Sequence, residues 1–266
     1  MTPQRLLSVT LIAWLTAAAP LAYAACTPLR FGYPDQARPP YYLGDGPNIP
    51  QQAGVLIEQV REAVAAAGFG CPPQLVRLPP ARLRHALASG DIDLTPLVEV
   101  AEYPPQIVIP LDRNGAPDIR RAMGYELVVL VRARDHIPAD ANPVAWFKGK
   151  TLGVPQGSLT APRLRELGLA VDEGARDVAR NIEKLRLGRI DGVVVPVARP
   201  GHVEALLKPY RGEIVRLPQS LLNSRAWFAF NQRYYAQHKE QAEALWNWLD
   251  ANRDRLDSLM QKQGKE

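Results

Sequence analysis

Leu87-Ala88-Ser89-Gly90-Asp91-Ile92-Asp93-Leu94 and, further along the chain, Leu185-Arg186-Leu187-Gly188-Arg189-Ile190-Asp191-Gly192 are one phrase written twice. In each, a segment with helical spacing ends on glycine, which takes a left-handed backbone without a Cβ penalty. An aspartate and a buried apolar run follow. The phrase is the signature of a helix handing over to a strand, so Asp93 and Asp191 read as parts of that junction before they read as ligand groups.

Working outward from the first copy, a strand at 29–32 precedes a Pro- and Gly-rich loop over 33–53. Gly54 then opens a helix on which Leu56, Val60 and Val64 recur at helical spacing, and Gly68 ends it. A strand at 74–78, a helix over 80–88 carrying Leu83 and Leu87, and the strand at 92–97 complete a β-α-β-α-β series. Around the second copy lie a β-prone run at 124–131, a strand at 151–154, helices at about 160–167 and 178–187, and strands at 192–195 and 214–217. Residues 227–231 read as a return crossing. One long helix over 236–261 is expected to close the chain, with Leu245, Leu249, Leu256 and Met260 on its buried stripe. Strands alternating with helices predict an α/β protein with parallel sheets covered on both faces and ligands at the carboxyl ends of the strands.

The first residues form an export signal. Arg5 opens a basic region, residues 6–19 are apolar, and Ala22-Tyr23-Ala24 supplies the small-x-small pattern of a cleavage site, placing the cut after Ala24. The apolar run is short of the roughly twenty residues that span a bilayer. Lipidation of Cys26 is the alternative, against which Tyr23 stands where an aliphatic residue is wanted. The two cysteines, Cys26 and Cys71, each precede a predicted strand, and an oxidising compartment favours a disulfide between them. Closing so long a loop contributes about 4 kcal/mol in the chain-entropy model. Metal ligation lacks a CxxC or clustered histidines, and no cofactor is called for. The formal charge of +5 is modest for 266 residues. No basic run interleaved with aromatics suggests a nucleic-acid partner.

The order and spacing of several pieces resemble the family-three extracellular solute-binding proteins, which include periplasmic amino-acid receptors of ABC transporters. The pieces are Pro39-Pro40-Tyr41, the Gly54 helix, the two glycine-aspartate phrases, and Lys148-Gly149-Lys150-Thr151-Leu152-Gly153-Val154-Pro155-Gln156-Gly157-Ser158. The resemblance implies a two-lobed type II periplasmic-binding-protein-like fold, each lobe a mainly parallel sheet flanked by helices, joined by two crossing hinge strands. Lobe one would comprise 25–124 plus 223–266 and lobe two 125–222. The function implied is capture of a small polar or anionic solute by hinge closure, as a monomer, for an inner-membrane ABC permease or a membrane sensor in the periplasm.

For the site, the resemblance points to the Gln156-Gly157-Ser158 turn. There, backbone amides and the Ser158 hydroxyl at a helix start would seat an anion. Tyr41 and Tyr42 would form an aromatic wall, and Tyr103 stands near the place of a carboxylate-binding arginine. That arginine is missing: Val100-Ala101-Glu102-Tyr103 replaces the family's Thr-x-Glu-Arg. The aspartate that holds an ammonium is missing too, since the strand of the second phrase runs into Val195-Pro196. Arg82, Arg113, Arg120, Arg121 and Arg199 are candidate substitutes for the first, and Asp35, Glu99 and Glu102 for the second. Trp146 and Trp227 read as packing residues. The four scattered histidines and the lack of a Gly-x-Ser-x-Gly elbow argue against a hydrolase. A dehydratase using Glu99, Glu102 or Glu173 is the enzymatic alternative.

Overall fold

The computed structural model describes residues 26–100 and 102–263, so the expected export signal and its cleavage lie outside the described residues. The first series forms β1 (Arg30–Pro34), α1 (Val55–Ala66), β2 (Gln74–Leu78), α2 (Pro80–Ser89), β3 (Leu94–Val98) and the short β4 (Ile107–Val108). β5 (Met123–Arg132) crosses into the second series, which holds α3 (Pro143–Trp146), β6 (Thr151–Pro155), α4 (Ala161–Glu166), β7 (Ala170–Ala175), α5 (Val178–Arg186), β8 (Gly192–Val197), α6 (Glu204–Leu207) and β9 (Ile214–Arg216). β10 (Leu222–Asn231) crosses back, and α7 (Gln232–Gln237), α8 (Lys239–Ala251) and α9 (Arg255–Gln263) follow.

The strands run in the order β2-β1-β3-β10-β5-β8-β6-β7. β1 is parallel to β2 and β3, and β6 is parallel to β7 and β8, as crossover helices require. Between these two parallel units stand β5 and β10, antiparallel to each other over Met123–Leu127 and Leu222–Ala226. The far half of β10 continues along β3, and the far half of β5 along β8. The chain therefore makes two lobes joined by two crossing strands, and each lobe has apolar clusters on both faces of its sheet. In the first, Phe31, Val60 and Trp246 gather on one face and Leu83, Leu87 and Trp227 on the other. In the second, Leu127, Val129 and Leu152 oppose Val128, Ile182 and Val193.

The repeated phrase performs the same work twice. Gly90 and Gly188 take positive φ at the helix ends. The Asp93 N–H then bonds the Arg30 carbonyl at 2.9 Å while the Asp93 carboxylate accepts the Arg30 N–H at 2.8 Å. Asp191 makes the corresponding pair with Thr151, both at 2.8 Å. Each aspartate thus stitches the incoming strand to the start of its neighbour. The isoleucine before it also has a counterpart: a Cβ on Gly32 in β1 would collide with Ile92, and one on Gly153 in β6 with Ile190.

Cys26 and Cys71 form a disulfide, joining the segments that lead into the adjacent parallel strands β1 and β2. The expected single C-terminal helix is corrected to α7, α8 and α9, broken at His238 and again near Asn252, whose backbones leave helical geometry. β7 carries no apolar alternation in Ala-Val-Asp-Glu-Gly-Ala and is held instead by pairing with β6.

Candidate ligand-binding cleft

A cavity of about 620 Å³ opens between the lobes. The loop after β1 contributes Gln36, Arg38, Tyr41 and Tyr42, and the start of α2 contributes Pro80 and Leu83. β3 adds Pro96 and Val98, and β5 adds Met123 to Glu126. Lobe two closes it with Pro155, Ser158, Leu159, Thr160, Val178, Pro196 and Ala198. The walls are largely apolar, a surface suited to a small solute whose few polar groups must be met individually.

The lobes touch on both rims of this cavity. On one, Gln36 Nε2 donates to the Gln156 carbonyl at 3.1 Å, Arg176 approaches Asp35 at 3.7 Å, and Gly157 stands against Ala81 so closely that an added Cβ would lie 3.3 Å from the Ala81 Cβ. On the other, the Tyr41 hydroxyl accepts the Ala198 N–H at 2.8 Å and bonds His202 Nδ1 at 2.7 Å. His202 Nε2 faces Asp257 Oδ1 at 3.1 Å, and Arg199 reaches Asp254 at 2.9 Å and Asp257 at 2.6 Å. Burial pushes the Tyr41 phenol up to about 12, so it remains a neutral hydrogen-bonding group at any working pH. Burial also lowers the His202 pKa, against the opposing pull of Asp257.

Of the six residues expected to hold a ligand, Tyr41, Tyr42 and Ser158 line the cavity. Tyr42 is fully buried and stacks on Tyr33, with ring centroids 5.7 Å apart. Ser158 Oγ is bonded to Thr160 Oγ1 at 2.8 Å. Gln156 and Gly157 stand at the rim contact instead. Tyr103 lies outside the lining, its hydroxyl donating to the Val98 carbonyl at 2.7 Å while its ring packs beside the Trp227 cluster. At the turn where an anion seat was expected, the Gln156 N–H bonds the Ala175 carbonyl at 2.8 Å and the Ser158 N–H bonds the Pro155 carbonyl at 3.0 Å. α4 is also short and carries proline in its first turn, which removes one more donor.

Among the substitute arginines, Arg120, Arg121 and Arg199 line the cavity and Arg82 and Arg113 do not. Each of the three is already paired: Arg120 with Asp118 at 3.1 Å, Arg121 with Glu243 at 2.7 Å, and Arg199 as above. Arg120 holds the Asp118 carboxyl below its ordinary range. The acids Glu99, Glu102 and Glu173 are not in the lining, and Glu99 and Glu173 pair with Arg225 and Arg165. Trp227 is buried and donates its indole N–H to the Asp118 carbonyl at 3.0 Å, a packing role.

Sequence reasoning missed Arg38. Its guanidinium lies 5.4 Å from the Tyr41 ring centroid and 5.0 Å from that of Tyr42, and its Nε is buried with no hydrogen-bond partner. The signal was its place beside Pro39-Pro40-Tyr41-Tyr42, where two aromatic faces await a cation. It also missed Glu126, on the crossing strand β5, whose carboxylate accepts a hydrogen bond from the Ser220 hydroxyl.

No protein-family model matches this sequence, and no curated protein matches it either. Solved structures do match it in shape. The ligand-binding core of GluR0 from Nostoc punctiforme, in complex with L-glutamate, superposes with a TM-score of 0.65 at 19% identity, over 88% of this chain and 98% of that one. This chain has the type II periplasmic-binding-protein fold. The amino-acid ABC transporter substrate-binding protein AbpA from Streptococcus pneumoniae, bound to L-arginine, shares that fold at a TM-score of 0.63 and 15% identity, covering 88% of this chain and 93% of that one. A histidine kinase sensor domain similar to periplasmic binding proteins also has it, at a TM-score of 0.63, 19% identity, and 88% and 95% coverage. In the periplasmic-binding-protein fold the cavity described above is the cleft between the lobes, and no helix among the described residues is long and apolar enough to cross a membrane.

Proposed function

We propose that this chain is an exported solute-binding protein that captures a small polar solute by closing its lobes, without chemical change to the solute. One observation carries the reading: a mostly apolar cavity whose walls come from both lobes and from both crossing strands. A solute held there touches both halves at once, so it binds the closed form more tightly than the open one and shifts the population toward closure. Glutamate and arginine bound to the similar structures support an amino-acid-like solute. The Cys26–Cys71 disulfide supports an oxidising compartment such as the periplasm.

In this reading the protein works as a monomer, with lobe one spanning 25–124 plus 223–266 and lobe two 125–222. Tyr41 and Tyr42 wall the solute, and Ser158 meets it from the opposite side. An ABC permease in the inner membrane is the partner. A membrane sensor is the second reading, favoured by the likeness to a histidine kinase sensor domain. The two separate on whether a radiolabelled solute accumulates in cells that carry the protein.

The test is a thermal-shift panel of amino acids, organic acids, polyamines and opines on the mature protein, followed by small-angle scattering with and without the best hit. A ligand present at a hundredfold its Kd adds about 2.7 kcal/mol to stability. A hit should raise Tm and contract the radius of gyration. Indifference to the entire panel, or a rise in Tm with conversion of the solute, would overturn the proposal. Ser158→Trp should abolish the shift of any hit while leaving the apo Tm near that of the parent.

A further inference from the structure

On one rim of the cleft a hydrogen-bonded chain runs from lobe two to lobe one, back to lobe two and again to lobe one. The Ala198 N–H of lobe two donates to the Tyr41 hydroxyl oxygen of lobe one at 2.8 Å, that hydroxyl meets His202 Nδ1 of lobe two at 2.7 Å, and His202 Nε2 faces Asp257 Oδ1 on α9 of lobe one at 3.1 Å. Every partner belongs to the protein. The contact therefore lowers the free energy of the closed form with or without a solute.

The protons along this chain can be counted. The Tyr41 oxygen already accepts from Ala198, so its own hydrogen needs an acceptor, and His202 Nδ1 is the one within reach. Nδ1 then carries no proton, and the single ring proton sits on Nε2, where it is donated to Asp257. A second proton would land on Nδ1, against the hydroxyl hydrogen. The hydroxyl would have to turn away and lose its acceptor in a place where Tyr41 is 5% exposed and the imidazole side chain 10% exposed.

The charges around the ring do not compensate. Asp257 draws a proton toward the imidazole, but its carboxylate is shared with Arg199, which reaches Asp257 at 2.6 Å and Asp254 at 2.9 Å. Arg38, whose guanidinium stands 5.4 Å from the centre of the Tyr41 ring, adds positive charge from lobe one. Val178, Val195, Val197 and Leu206 line the same small void as His202 and bring no charge. Burial outweighs the pull of Asp257 and holds His202 below the ordinary histidine value.

We propose that Tyr41, His202 and Asp257 form a clasp that shuts the lobes while His202 is neutral and lets them part when it takes up a proton. This goes beyond the solute-binding reading and shares with it only the closing of the lobes. The sign follows from where the proton binds better. In the open form the ring stands in water and titrates near its ordinary value of about 6.5, whereas in the closed form it resists protonation. Closure is therefore fully supported above about pH 6.5 and weakens below it, by at most about tenfold per pH unit. A solute captured at neutral pH is released more readily in acid.

The experiment is small-angle X-ray scattering on the mature full chain from about pH 8 to about pH 5, the range in which histidine changes charge. The protein is first unfolded and refolded with its disulfide intact, to strip any bound solute. The radius of gyration should be smallest at the alkaline end and grow as pH falls through about 6.5. His202→Gln supplies a neutral amide whose oxygen can accept from Tyr41 and whose nitrogen can donate to Asp257, and its radius should no longer change with pH. Tyr41→Phe keeps the ring and removes the hydroxyl, and at the alkaline end it should already show the wider radius that the parent reaches only in acid. Nitrogen-15 spectra of the parent's histidines need no variant: they should show His202 protonated on Nε2 alone and titrating below the ordinary range.

A parent radius indifferent to pH overturns the clasp, as does a His202→Gln chain that keeps the parent's response. A Tyr41→Phe chain as compact as the parent at the alkaline end, or a His202 ring protonated on Nδ1 there, does the same. The solute-binding reading survives each of these results, and its own failure on the thermal-shift panel leaves the scattering outcomes readable.

Discussion

Lobe one and lobe two fasten their central strands with the same stitch, an aspartate that both donates to and accepts from the first residue of the neighbouring strand. They differ in what is added to it. In lobe one the Arg30 guanidinium also grips Asp93, at 2.9 and 2.5 Å, a disulfide joins the approaches to β1 and β2, and α8 and α9 pack on α1 from the far end of the chain. In lobe two Asp191 holds Thr151 with no guanidinium, and the helices over its sheet are local in sequence. The lesson is that the repeated phrase sets the architecture of both halves, whereas covalent and long-range ties are concentrated in one of them.

The sharpest way to break this contrast is to remove the tie that only one lobe possesses. Replacing both cysteines, Cys26→Ser with Cys71→Ser, should cost about 3–4 kcal/mol, read as a lower midpoint in urea for the ligand-free protein. If the midpoint is unmoved, lobe one owes nothing to its staple. Next in size are the stitches. Asp93→Ala should destabilise by about 2 kcal/mol because it strands the Arg30 N–H and gives up the ion pair of a partly exposed guanidinium, and Asp191→Ala by about 1 kcal/mol because it strands the Thr151 N–H alone. Equal losses would erase the difference between the lobes.

The glycines test the opposite expectation, that the halves behave alike. Gly32→Ala and Gly153→Ala should each cost about 1–3 kcal/mol through overpacking against Ile92 and Ile190. Adding Ile92→Val or Ile190→Val in the same chain should recover part of the loss, since the methyl in the way is gone. The smallest effect concerns acid. Arg255 holds the Glu62 carboxyl below its ordinary value in lobe one, and Lys184 does the same for Asp172 in lobe two. A depressed carboxylate contributes stability that is present above its unfolded pKa and lost as pH falls through the folded one. Urea midpoints should therefore fall as pH drops below about 4, and Glu62→Gln and Asp172→Asn should each flatten that fall slightly.

Much of the fold was legible because its cues are local. Apolar spacing placed α1 and α2, glycine stops placed their ends, and the repeated phrase announced that one plan was used twice. β7 was not legible, since Ala170–Ala175 is a strand only through its pairing with β6. The break between α8 and α9 was hidden because the apolar stripe of Leu245, Leu249 and Leu256 continues across it. In the cleft, Tyr41, Tyr42 and Ser158 were pointed to by the family resemblance and do line the cavity. Arg38 and Glu126 were not, because an arginine in a loop and a glutamate in a strand come to line one cavity only through tertiary structure.

The pairing of β5 with β10 across Met123–Leu127 and Leu222–Ala226 has a mechanical consequence. Two strands bonded edge to edge form a ribbon that is stiff in its own plane and compliant across its face. If the lobes close as proposed, such a ribbon favours a swing about a single axis over sideways slip. One pair of spectroscopic labels, set on opposite lips, would track the whole opening coordinate.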